Sequence, residues 1–284
     1  MKIGITGATG QLGHIVVEKL KEKTSSESIV ALVRSTAKAA GLGVEAREFD
    51  YVNTETLAGA LEGIDTLLLI SGNEIGQRAI QHANIIRAAK EAGIKWIVYT
   101  SLLRADTSTL SLAGEHLATE LTLKASGIPF TILRNGWYTE NYTGSLGGAL
   151  AGGALVGSAG NGKISSATRS DFAEAAVAVL TGNNHQGKTY ELAGDEAYTM
   201  AELAAEVSGQ AGKALPYNNL PESDYAAILK SFGLPEMFAE AIASWDISAS
   251  KGDLFDDGKQ LSGLIGRPTT KLSVAVAEAL ALLS

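Results

Sequence analysis

The chain contains no cysteine, which excludes disulfide cross-links, thiolate catalysis and any metal site built on sulfur. Its four histidines, His14, His82, His116 and His185, lack the spacing of a ligand set, so no metal is expected. Basic charge is scarce: 23 Lys and Arg stand against 31 Asp and Glu, a formal net charge of −8. With no basic stretch to offset that charge, a nucleic-acid partner is not expected. No apolar run is long enough to cross a bilayer, so no membrane insertion is expected. The first residues also lack the charged, apolar and cleavage regions of an export signal, and a cytoplasmic protein is the simplest expectation. Asn141-Tyr142-Thr143 matches a glycosylation sequon, a match without weight where no export signal accompanies it. No Gly-x-Ser-x-Gly elbow occurs, which removes the main hydrolase option. Residues 157–163 follow most of a P-loop pattern, but Ile164 stands where Ser or Thr is needed, and a hairpin-like loop is expected.

What the chain does have is a 45% hydrophobic composition, enough for a large core over 284 residues. Short runs rich in Ile, Val and Leu predict strands at residues 2–6, 29–33, 44–48, 66–70, 96–100 and 130–133. They are read as apolar throughout, as where helices cover both faces of a sheet. Helical patterns lie between them at 12–23, 54–61, 77–92 and 112–126. Gly63, Gly93 and Gly127 each stand where a left-handed helix C-cap belongs. This alternation predicts an α/β fold, a Rossmann-type doubly wound parallel sheet with right-handed crossovers.

Beyond Asn135 the pattern loosens. Residues 144–162 are rich in Gly and Ala, predicting flexible loops around a short helix or strand. A helix at 170–180 and a strand at 189–193 follow, then helices at 199–209, 223–231 and 272–283. The expected division is a nucleotide-binding domain over 1–150, with 165–195 returning to it, and a smaller C-terminal substrate lobe over 196–284. Phe232, Phe238 and Trp245 are expected in the core of that lobe.

The most informative segment is Ile3-Gly4-Ile5-Thr6-Gly7-Ala8-Thr9-Gly10-Gln11-Leu12-Gly13. An apolar run ends in three glycines spaced three apart, and an amphipathic segment begins at once. Gly7 permits a sharp exit from the strand, Gly10 a close approach of backbone to phosphate, and Gly13 close packing of the helix on the sheet. The turn Gly7, Ala8, Thr9, Gly10, Gln11 and Leu12 is therefore the candidate cradle for a dinucleotide pyrophosphate. Arg34 closes the second strand, where an acidic residue would bind an unmodified ribose. A guanidinium there favours the 2′-phosphate, hence NADP(H) over NAD(H); the other reading is a solvated strand-end arginine. Ser71 and Thr100 end the fourth and fifth strands at the sheet edge where a cofactor's middle portion and nicotinamide would lie.

Gly7–Gly13 together with Tyr99-Thr100-Ser101 and Leu133-Arg134-Asn135-Gly136-Trp137-Tyr138 resembles the NmrA-like group of atypical short-chain dehydrogenases/reductases. Glu115-His116, Asn141-Tyr142, residues 167–171 and residues 251–257 narrow the resemblance to the bacterial type 2 NADPH:quinone oxidoreductases, over essentially the whole chain. The resemblance implies NADPH binding and quinone reduction. It places Arg34, Tyr138, Thr139, Glu140, Asn141, Tyr142, Thr143 and Arg169 in the cofactor pocket. Trp137, Tyr138 and Tyr142 could stack on a flat quinone or simply pack between lobes.

The Tyr and Lys pair four residues apart, with which active short-chain dehydrogenases donate a proton, is missing. None of the eight tyrosines has a lysine at that spacing, and the corresponding helix carries His116 and Glu120. His116 is either a proton source or a helix-surface residue bonded to backbone. Quinones are strong electrophiles and leave room for reduction without a strong acid. The expected function is thus an NADPH:quinone oxidoreductase. The alternatives are a catalytically silent NADP(H)-binding redox sensor and reduction of another activated acceptor such as an enal or azo compound. Oligomeric state is not legible from sequence.

Overall fold

Each branched-aliphatic run becomes a strand, and each helix-period segment becomes the crossover that carries the chain back. The computed structural model describes residues 1–283. Along it run β1 (Ile3–Thr6), α1 (Gln11–Lys21), β2 (Ile29–Val33), a 3-10 segment (Thr36–Leu42), β3 (Glu45–Glu48), α2 (Thr54–Ala60), β4 (Thr66–Leu69), α3 (Arg78–Glu91), β5 (Trp96–Leu102), α4 (Ala113–Ser126) and β6 (Phe130–Asn135). The second half contains α5 (Glu140–Thr143), α6 (Leu146–Gly152), β7 (Leu155–Gly157), α7 (Arg169–Thr181), β8 (Thr189–Leu192), α8 (Met200–Ala211), β9 (Tyr217–Asn219), α9 (Glu222–Ser231), α10 (Glu236–Ser250), α11 (Gln260–Ile265) and α12 (Leu272–Ala281).

Two compact units divide these elements. The first comprises 1–106, 112–135 and 169–191; the second comprises 107–111, 136–168 and 192–283. Residues 136–150, expected with the nucleotide domain, belong to the second unit because the chain leaves the sheet at Asn135. Ser284, the last residue of the expected lobe, lies outside the described residues.

In the first unit, strands of order β3-β2-β1-β4-β5-β6-β8 form one sheet, and the pairings from β3 through β6 are parallel. The order reverses between β1 and β4. A reversal of this kind opens a crevice beyond the carboxyl ends of the strands, where open α/β sheets bind ligands. Strand periodicity sends alternate residues to opposite faces. Val30, Leu32, Leu67, Leu69, Ile97, Tyr99 and Ile132 join Leu57, Ile85, Ile86 and Leu123 from α2, α3 and α4 in one buried cluster. Val16, Val17 and Leu20 of α1 and Phe172, Ala176 and Val179 of α7 are buried as well, and α1 packs on α7.

Three sequence expectations need correction. β3, read as apolar, is Glu-Ala-Arg-Glu and only partly buried, because it forms the sheet edge and only one side is paired. Phe232 and Phe238 are not core: they are 73% and 45% exposed, and Trp245 is only partly buried. Helices α10 and α11 went unread. The stripe that α10 buries is Ala239, Ala243, Asp246 and Ala249, so its large apolar residues do not mark its inner face.

One glycine fixes how closely α1 approaches β1. A Cβ on Gly13 would overlap the carbonyl oxygen of Gly7 and lie 2.8 Å from the Ala8 Cα. A Cβ on Gly10 would meet only the Gly7 oxygen, at 3.1 Å. Gly13→Ala is therefore expected to cost about 3 kcal/mol by overpacking, and Gly10→Ala clearly less. Urea unfolding of both variants checks this; equal, small losses would contradict the packing.

Candidate active site

The cradle is built by β1 and α1. Gly7 adopts φ +61°, in the region that favours glycine, and its carbonyl accepts the Gly10 N–H at 2.8 Å. Gly10 caps α1 with no side-chain hydrogen bond, and the first turn contains no acidic residue. The first-turn amides thus lack a partner within the helix and keep the positive end of its dipole. Thr9, Gly10 and Gln11 are exposed, whereas the side chains of Ala8 and Leu12 are buried, leaving those two only backbone to offer. This arrangement fits a diphosphate. A second feature fits a ligand: Asn135 at the end of β6 is buried, and its Oδ1 has no hydrogen-bond partner.

Next along the sheet edge, Arg34 follows β2 with its side chain 71% exposed. Its Nη1 lies 3.6 Å from Oε1 of Glu74, in the loop after β4. That loop is fastened at both ends. Ser71 N–H donates to Thr100 Oγ1 at 2.9 Å, so these two predicted site residues do meet. Gly72 N–H donates to His82 Nε2 at 3.1 Å, and Gly72 C=O accepts from Arg78 Nε at 2.8 Å. Gly76 and Arg78 N–H both donate to Glu115 Oε1, while Arg78 Nη1 pairs with Glu115 Oε2 at 3.0 Å.

The bonds fix the tautomer of His82. Thr119 Oγ1 donates to Glu115 C=O at 2.9 Å, so it accepts from His82 Nδ1 at 3.1 Å, leaving Nε2 as the acceptor for Gly72. Burial, aided by the Arg78 charge, pushes the imidazole down to about 3, so it stays neutral.

His116 is also buried, with Nδ1 2.8 Å from the Tyr99 hydroxyl. Burial and the Arg78 charge hold its imidazole well below the usual histidine range. It is neither a surface residue bonded to backbone nor an exposed imidazolium. Glu120 on the same helix is fully buried and receives both Nε and Nη2 of Arg134, at 2.9 and 2.8 Å, plus the Ser101 hydroxyl at 2.7 Å. Where a Tyr–Lys pair would stand, both side chains are engaged in internal bonds.

The second unit contains the other predicted residues. A Cβ on Gly136 would come 2.9 Å from the Leu192 carbonyl oxygen, which fixes the chain as it enters. Trp137 meets Trp245 edge to face at 5.6 Å between centroids, and Phe238 meets Trp245 at 6.0 Å. Tyr138 bridges to Ala167, and Thr139 N–H donates to Ala167 C=O at 2.9 Å. The Thr139, Ser166 and Tyr198 hydroxyls form a buried chain with spacings of 2.8 and 2.6 Å. Glu140, Asn141, Tyr142 and Thr143 make up α5, and Arg169 opens α7 in the first unit. Tyr142 is half-buried; desolvation and the nearby Asp246 push its phenol well up. Asp246, missed in the sequence, accepts the Ser158 N–H at 2.7 Å, and burial pushes its carboxyl up to about 6. Arg78 and His82 were missed too, although their spacing of four on one helix face was visible.

A pH dependence follows from His82. Its ordinary value is 6.5 and its folded value about 3, so between these limits the unfolded chain binds more protons. Stability is therefore complete above pH 6.5 and falls as pH drops towards 3, by on the order of 5 kcal/mol from this group at the acid limit. His82→Gln should flatten the thermal-melting profile between pH 6.5 and 4. An unchanged slope would contradict the assignment.

Comparison with known proteins gives the same picture. A sequence model described as the NmrA-like family matches residues 1–273. Quinone oxidoreductase 2 of Escherichia coli (strain K12) is 56% identical over 277 residues, covering 96% of this chain and 97% of that one. The crystal structure of an E. coli NADPH-dependent quinone oxidoreductase complexed with NADPH aligns with a TM-score of 0.96 at 55% identity, covering 98% of this chain and 99% of that one. Triphenylmethane reductase of Citrobacter sp., complexed with NADP(H), aligns with a TM-score of 0.94 at 38% identity, covering 98% of this chain and all of that one. With a doubly wound sheet, an open glycine cradle and a match running through nearly its entire length, the chain belongs to the NmrA-like family.

Proposed function

We infer that this protein is an NADPH-dependent oxidoreductase that transfers hydride directly to a quinone. The observation that carries the reading is its 56% identity, over nearly the full length of both chains, to an E. coli quinone oxidoreductase. The open cradle at the start of α1 supports the cofactor assignment.

Gly7, Ala8, Thr9, Gly10, Gln11 and Leu12 would hold the pyrophosphate through backbone amides, and Arg34 the 2′-phosphate. Ser71, Thr100 and Arg169 would continue the cofactor's surroundings within the first unit; the resemblance also assigns Tyr138, Thr139, Glu140, Asn141, Tyr142 and Thr143 to cofactor binding. Trp137, Tyr138 and Tyr142 would offer flat faces to the quinone. NADPH, when bound, supplies the hydride. The chain's own contribution is to position donor and acceptor and to exclude water. Hydride addition yields a hydroquinone anion stabilised by its aromatic ring, and that anion can take its proton from a nearby group, or from water once the site opens. His116 is not assigned this role: a neutral imidazole bonded to Tyr99 stores no acidic proton. A cysteine-free chain suits the reducing cytoplasm, and its net charge of −8 disfavours nucleic acid as a partner.

Loss of NADPH absorbance with a simple benzoquinone tests the reading. Quinone-dependent oxidation is expected; binding of NADPH without it would make the protein a redox sensor instead. Arg34→Ala should raise the KM for NADPH at least about tenfold, as expected for loss of a charge-assisted bond, and change the KM for NADH little. Equal effects on both would remove the phosphate assignment.

A further inference from the structure

We propose that Glu74 is a displaceable counter-ion in the adenosine-ribose site, and that its charge sets how strongly the protein prefers NADPH to NADH. The proposal rests on Arg34 being the 2′-phosphate ligand. Two observations carry it.

First, the Glu74 carboxylate is the group that faces Arg34, 3.6 Å from Nη1, with the two side chains 48% and 71% exposed. An exposed ion pair of that length is weak and readily exchanged for a better partner. Second, Glu74 is not a drifting surface residue. Its Oε2 accepts from Gln81 Nε2 at 2.7 Å. The loop that bears it is fastened by His82 and Arg78 at Gly72 and by Glu115 at Gly76 and Arg78.

The two cofactors should therefore feel Glu74 with opposite sign. A 2′-phosphate must displace the carboxylate from Arg34 and then tolerate a like charge close by. A 2′-hydroxyl can instead donate a hydrogen bond to the same carboxylate, as acidic residues do in NAD sites. Arg34 and Glu74 thus form an opposed pair whose balance gives the protein a smaller cofactor preference than Arg34 alone would.

Calorimetric titration of Glu74→Gln, Arg34→Ala and the unmodified protein with adenosine 2′,5′-bisphosphate, AMP, NADPH and NADH tests this without turnover. Glutamine keeps an oxygen for Gln81 Nε2 and removes only the charge. Glu74→Gln should bind NADPH and the bisphosphate about fivefold more tightly, the size of one unit charge at contact distance in water. That gain should shrink as salt rises, and affinity for NADH and AMP should be unchanged or lower. An unchanged affinity for the bisphosphate in Glu74→Gln, with a marked loss in Arg34→Ala, would overturn the Glu74 assignment alone. No response to Arg34→Ala would overturn the phosphate site and the Glu74 assignment with it.

Discussion

The closeness of helix α1 to strand β1 is the constraint on which the site depends. Helix amides can meet a phosphate at the sheet's carboxyl edge only if the chain turns within a few residues and the helix packs tightly behind the turn. Gly7 supplies the turn at φ +61°, and Gly13 leaves room for the Gly7 carbonyl that any side chain would strike. No side chain then caps the helix, and no acid stands in its first turn. The positive end of the dipole is left open to solvent, a cost that an anionic ligand reverses.

Around that cradle, fixed geometry comes from neutral and fully paired buried groups. His82 and His116 are desolvated imidazoles held uncharged, one bonded to backbone and the other to a phenol. Arg134 buries its charge against Glu120, Asp106 and Glu191, so the strand end it occupies is pinned by several bonds at once. Such groups serve position better than acid–base chemistry. That matches a reaction in which an electrophilic acceptor requires alignment more than a proton donor.

Much of this was legible in the sequence, and the reasons for success and failure are physical. Strands β1, β2, β4, β5 and β6 are branched-aliphatic runs buried on both faces, which is the strongest local signal a parallel sheet produces. Gly93 and Gly127 end their helices in the left-handed conformation expected of them, and Gly63 adopts it two residues past the cap of α2. β3 misled because an edge strand need not be apolar, and α10 escaped because alanines carry its buried stripe. The cradle residues could be read because glycine at those places has a backbone reason. Glu74 and Asp246 could not, because their meaning lies in partners distant in sequence: Glu74 faces Arg34, and Asp246 takes the amide of Ser158.

The missing Tyr–Lys pair narrows the chemistry further. Its place is filled by side chains that bond internally, which leaves hydride transfer to an acceptor able to take the charge itself. All of this requires a dinucleotide seated on the first turn of α1. A crystal structure determined with saturating NADPH measures that directly. The account predicts the pyrophosphate against the amides of the Gly7–Leu12 turn and the 2′-phosphate beside Arg34; a vacant turn, or a nucleotide bound elsewhere, would contradict it.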